Sequence, residues 1–306
     1  MPAAIITFDH PPRADGATDR APEGVADWLA AEGARAYALL DAALRPGLPE
    51  ALEAEGAEHA CLYAGDAAER LRDVAPYLVA LTPDAPITAA VLGGPRVAAP
   101  MWGTRFGVLL RSPADLPTLR SHLRRFTTQP GDDGRTLLFR YWEPAAAAVI
   151  LGRLADRPED AGRWLRTADG APVAFAVPSE DGGARVFGPA RDLAPARGPF
   201  VLTDGDRAAL AAPLDRSDRA RLAAKLRGMD HFDGYDDAEL RAGLDAAWAR
   251  KARWRVTSPN GLAWLALLSV HAQRYPGLAG MLDRIDAGTG WSFDQIARML
   301  QRKGGR

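Results

Sequence analysis

The chain is expected to be α/β, with a mixed sheet and flanking helices in an N-terminal lobe followed by a mostly α-helical C-terminal lobe. Three observations lead there. From about residue 22 to 150, short apolar runs alternate with amphipathic segments, the pattern of strands joined through helices. Past Thr203 the strand-like runs stop and helical periodicity takes over. An apolar share of 47% against 25% charged is that of a globular chain long enough to bury one large core or two modest ones. The boundaries read as a flexible leader over 1–22, an α/β domain over 23–200 and a helical lobe over 203–306.

The elements follow in order. Residues 2–22 are rich in Pro, Asp, Arg and Gly and read as a loose leader with one short strand at Ile5–Phe8. Ala36–Leu40, Ala60–Tyr63, Tyr77–Leu81 and Phe106–Leu110 read as strands. Helices are expected between them at Leu48–Glu55, Ala67–Val74 and Ile87–Leu92. Ser112-Pro-Ala-Asp115 predicts a helix start, with Ser112 at the cap and Pro113 at the first helical position. Leu116, Leu119 and Leu123 give that helix its inward stripe. A strand over Leu137–Trp142 would place Leu137, Phe139 and Tyr141 on one face and Leu138, Arg140 and Trp142 on the other. Strands alternating with helices imply a mixed or mostly parallel sheet. Further on, helices are expected at Ala145–Leu154 and Asp160–Leu165. An antiparallel pair, Val173–Val177 and Arg185–Phe187, would turn at Gly182-Gly183. The C-terminal helices are expected at Asp204–Leu210, Ser217–Leu226, Asp236–Lys251, Gly261–Arg274, Leu278–Ala287 and Ser292–Gln301, the last opened by a Ser292/Gln295 capping box.

Composition narrows the function classes. A net charge of −1 provides no field to draw nucleic acid or acidic lipid. The first ten residues lack the basic start and apolar run of a secretion signal, and no window approaches the ~18 apolar residues of a membrane span, so a cytoplasmic protein is expected. One cysteine, Cys61, excludes an internal disulfide framework and a multi-cysteine metal site. No GxGxxG follows a strand, and neither GxxxxGK[ST], HExxH nor GxSxG occurs. The loop from Met229 to Asp237, with His231, lacks EF-hand spacing and reads as a helix-capping loop. His271, on an apolar helix, reads as a core or interface histidine. No cofactor and no metal is expected.

Two pictures remain for the polar residues of the first lobe. Arg140, between large apolar neighbours, suits an ion pair with Glu143 or Asp41 that orders the sheet edge. Alternatively, it belongs to an Arg/aromatic binding surface, because Arg, Trp and Tyr dominate interface hot spots. The residue types alone lean to the first. An enzyme would be a small-molecule hydrolase or transferase on an α/β scaffold using His122, Asp41 and Glu143, and would need them to converge in one pocket. A binding protein would instead expose apolar area. Its candidate contributors are Trp248, Trp254 and Trp264, with the basic run of Arg250, Lys251, Arg253 and Arg255.

Several motifs, in order and spacing, narrow this further. Leu39-Leu40-Asp41, Ala75-Pro-Tyr-Leu-Val79, Trp102-Gly103, Gly107-Val-Leu-Leu-Arg-Ser112, Leu119–Arg125 and Gly134…Phe139-Arg-Tyr-Trp-Glu-Pro144 together resemble the effector adaptor, or chaperone, family of bacterial type VI secretion. That family was first catalogued only as a domain of unknown function, and the resemblance covers about residues 35–155. It implies a non-catalytic protein that binds a toxic effector in the producing cell and helps load it onto the VgrG spike, sometimes with a PAAR protein. The family's motif positions fall on Pro76, Tyr77, Trp102, Gly103, Ser112, His122, Leu123, Arg125, Phe139, Arg140 and Pro144. Trp142-Glu143 departs from the family's usual aromatic-Asp, which lengthens the reach of the carboxylate. Candidate binding residues are thus Tyr77, Trp102, His122, Arg125, Arg140, Trp142 and Glu143, with Trp248, Arg253 and Trp254 in the helical lobe.

Overall fold

A computed structural model describes residues 5–94, 97–130, 136–229, 232–254, 256 and 259–287. In it the apolar runs of the first lobe become strands β1 (Ile5–His10), β2 (Arg35–Asp41), β3 (His59–Cys61), β4 (Pro76–Leu81) and β5 (Gly107–Ser112). They are followed by β6 (Thr128–Pro130), β7 (Thr136–Leu138), β8 (Ala174–Pro178) and β9 (Ala184–Pro189). Seven of these form one sheet in the order β1-β9-β8-β5-β2-β4-β3, while β6 and β7 pair separately.

The α/β class is the one expected, but the sheet is antiparallel at every neighbouring pair rather than mixed or mostly parallel. The reason lies in the connections. β2 and β3 both run antiparallel to β4, so they are parallel to each other with β4 between them; β4 and β5 flank β2 in the same way. The helix at Asp66–Arg70 joins the antiparallel neighbours β3 and β4, but the connections through the helices at Leu48–Ala54 and Pro86–Leu92 do join parallel strands, as the alternation implied. A third strand fills each gap, which interleaves two split β-α-β units. The pair β8 and β9 joins the same sheet through β5.

β2 is buried on both faces, which explains its unbroken apolar run. Tyr37 and Leu39 pack with Leu78, Val108 and Leu110 beneath α5 (Leu116–Arg124), α6 (Pro144–Arg153) and α7 (Pro158–Leu165). Ala38 and Leu40 face the other way, against α1 (Glu23–Ala30), α2 (Leu48–Ala54) and α4 (Pro86–Leu92). Each leucine so enclosed contributes about 2 kcal/mol of transfer free energy. The short α3 (Asp66–Arg70) precedes β4. Of the expected leader, Ile5–His10 is the edge strand beside β9. Thr18 runs so close to Gly103 (φ +77°) that a Cβ there would lie 2.2 Å from the Thr18 carbonyl oxygen.

Two local expectations change. The N-cap of α5 is Asp115, whose Oδ1 accepts the Thr118 N–H at 2.9 Å. Ser112 instead accepts the Ala114 N–H at 3.2 Å in the turn before it, so Pro113 lies outside the helix. The strand expected over Leu137–Trp142 stops at Leu138, because a turn closed by the Glu143 N–H on the Arg140 carbonyl (3.1 Å) leads directly into α6. The predicted face alternation is therefore lost: Leu137 and Leu138 are both exposed, while Phe139, Tyr141 and Trp142 are all buried.

By internal contacts the chain divides into Met1–Pro213 and Leu214–Arg306. The division falls within α8 (Asp204–Arg227), one helix where two were expected. The second unit has its own core, in which Leu244 and Trp248 of α9 (Asp237–Arg253) meet Leu265 and Val270 of α10 (Pro259–His271). It continues into α11 (Pro276–Asp286). The helix expected at Ser292–Gln301 lies outside the described residues. Among the described residues, no helix is long and apolar enough to cross a membrane.

Candidate functional site

The site is built outward from the last residue of β2. Asp41 ends the strand and caps the 3-10 turn Ala42–Leu44, its Oδ1 accepting the Ala43 N–H at 3.1 Å. Its side chain is only 2% exposed, so its charge must be met within the protein. Oδ2 accepts from the Trp142 indole at 3.2 Å and from the Arg140 guanidinium. Three residues past Arg140, the buried Glu143 pairs with Arg105, from the loop preceding β5. The Arg140–Glu143 turn thus braces two places far away in sequence, the end of β2 and the loop before β5. Both carboxylates proposed for Arg140 are buried, but Asp41 alone takes it; Glu143 takes a different arginine.

Between these braced segments lies an open cleft of about 440 Å³. Leu40, Leu44, Leu48, Met101 and Phe106 supply its apolar lining. Arg45 and Arg105 also line it, and Asp41 lies in its wall. The loop carrying Arg105 is anchored by Trp102, which is buried and donates from Nε1 to the Gly182 carbonyl at 3.0 Å.

The other motif residues serve the scaffold. Tyr77 is buried on β4, its hydroxyl donating to the Arg72 carbonyl at 3.2 Å. His122 lies on the inward face of α5, with Nε2 2.8 Å from the Trp164 carbonyl and its ring edge-on to Phe126. Bonding to a carbonyl places the proton on Nε2. Burial, reinforced by the nearby Arg125, pushes the imidazole pKa down to about 4, so the ring is neutral at pH 7. Arg125 donates to the Arg163 carbonyl and lies 4.8 Å over the Phe126 ring. His122 is therefore part of an aromatic core, while Asp41 and Glu143 are each bound to a different arginine. The three side chains of the hydrolase idea do not meet in one pocket.

In the second unit, Trp248 is core rather than exposed, with Arg219 at 5.0 Å and Lys251 at 5.3 Å from its ring centre. Trp254 donates to Asp286 at 2.9 Å. Arg250 and Arg253 pair with the same carboxylate at 3.0 and 3.1 Å. Much of the basic run is thus matched within its own unit. His271 lies 2.9 Å from the Tyr235 hydroxyl and stacks on Phe232. Asp230 and His231 lie outside the described residues. Among those described, no group of three or more His, Cys, Asp or Glu is placed to hold a metal ion.

Sequence reasoning missed Leu44, Arg45 and Arg105. Arg105 meets Glu143 across 38 residues, which leaves no local pattern. Leu44 offers a faint signal, an apolar residue just past a strand end and shortly before Gly47.

Fold and site together define an antiparallel α/β domain with a cleft at the end of β2. Residues 36–160 match the family model described as a domain of unknown function, DUF4123. The cleft-lining residues and the Arg140–Glu143 turn all fall within that stretch. No curated protein and no solved structure matches the chain.

Proposed function

We propose that this protein is a non-catalytic adaptor, or chaperone, of type VI secretion. It works in the cytoplasm of the producing cell, binds a toxic effector there and helps load it onto the VgrG spike, with a PAAR protein as a further partner. The observation that carries this reading is the family match over residues 36–160, together with the ordered motifs from Asp41 to Pro144 that resemble the adaptor family. The packing is compatible with it. Tyr77, Trp102, His122 and Trp142 build the scaffold, and the braced cleft leaves a surface for another protein.

The test is affinity purification of the full chain from its own cell while the secretion genes are expressed. A toxin-like protein and a VgrG-like spike are expected to co-purify with it. If neither appears, the adaptor reading fails.

A further inference from the structure

We infer that the cleft at the end of β2 binds an extended segment of a partner protein, one that presents an apolar side chain next to a carboxylate. The adaptor reading bears only on who that partner is; the chemistry below stands on the cleft itself.

The lining sets the apolar half of the match. The open cleft of about 440 Å³ has room for one or two side chains, and Leu40, Leu48, Met101 and Phe106, themselves only 1–5% exposed, form its apolar floor. Its rim adds Leu44, which is 52% exposed. The turn carrying Leu44 is tied by the Ala42 N–H to the Ala75 carbonyl at 3.1 Å and packs on the turn Arg72–Val74. Leu71 and Val74, also exposed, accompany that second turn. Neighbouring turns of one domain thus expose three apolar side chains, and burying them favours a protein partner.

The rim also sets the charge. Asp41 is committed to Arg140 and Trp142, and the charge of Arg105 is matched by Glu143. Arg45 differs: its bond goes to a neutral acceptor, the Ala99 carbonyl, at 3.3 Å. Among the described residues it meets no carboxylate. One unmatched guanidinium beside an apolar cavity suits a single carboxylate, which it can grip through two N–H donors. A nucleic acid would call for several such cations.

The test selects random dodecapeptides, displayed on phage, against the full chain. A synthetic consensus peptide carrying fluorescein is then titrated by anisotropy. Selected peptides are expected to place Asp or Glu within two residues of Leu, Ile, Phe or Met. Arg45→Glu and Leu44→Asp should each weaken the peptide at least tenfold. Arg45→Lys should retain part of the affinity, and Arg241→Glu in the second unit should leave it unchanged. Melting curves check that the variants, all at exposed or half-exposed positions, remain folded. The inference is overturned if no consensus emerges, if the consensus lacks an acid, or if Arg45→Glu binds as well as the parent. Self-association abolished by Leu44→Asp would assign the face to a second copy and overturn it too. If peptides bind but the secretion partners never co-purify, the adaptor reading fails and the cleft stands; partners without a peptide consensus give the reverse.

Discussion

Burial decides what each polar residue of the first unit can do. Asp41 is held by three donors, whereas His122 is kept neutral by burial among aromatic rings, with Arg125 nearby, against the opposing pull of its bond to the Trp164 carbonyl. That contrast has a pH consequence. The native His122 pKa of about 4 lies below the ordinary value of 6.5, so between them the unfolded chain binds a proton that the folded chain refuses. Its contribution is therefore fully present above pH ~6.5 and is lost as pH falls towards ~4. At about 1.4 kcal/mol per pH unit, the loss reaches up to about 3 kcal/mol. Urea titrations between pH 7.5 and 4.5 should show stability falling more steeply in the parent than in His122→Phe. Equal slopes would remove His122 as the cause.

At the scale of elements, the junction of β5 with β2 sets the cleft. Gly107 opens β5 opposite Leu40 with φ +145°, and a Cβ there would lie 1.9 Å from the Leu39 carbonyl oxygen. The clash is with backbone in a central strand, which cannot retreat without opening the ladder. Gly107→Ala is expected to cost at least about 2 kcal/mol and to lower the melting temperature by several degrees; an unchanged melting curve would contradict this packing. Such junctions mark where legibility from sequence ends. β2, β4 and β5 are readable because strands buried on both faces leave unbroken apolar runs, and α5 because Leu116, Leu119 and Leu123 repeat at helical spacing. Strand neighbours are not readable, since a β-α-β connection is the same whether or not another strand slips between its ends. The Asp41–Arg140 pair, 99 residues apart, was legible only as one of two candidates. Leu44, Arg45 and Arg105 left almost no trace, because a cleft is made by segments that meet only after folding.

At the scale of the whole molecule, the division within α8 gives two units that each bury an apolar core of their own. Cooperative unfolding follows the core rather than the chain, so two transitions are expected in calorimetry of the full protein. Met1–Pro213 should absorb about 150 kcal/mol near 60 °C, against about 210 kcal/mol for all 306 residues melting together. Shortening the chain after Arg227 keeps α8 whole and retains every residue of the cleft. The shortened protein should reproduce one of the two transitions and bind the consensus peptide with the parent's affinity. A single transition in the full chain, with a van't Hoff enthalpy near the larger figure, would show one cooperative unit. The helical residues after 227 would then be needed to hold the cleft in shape, and specificity for the partner could not be divided between the two halves of the chain.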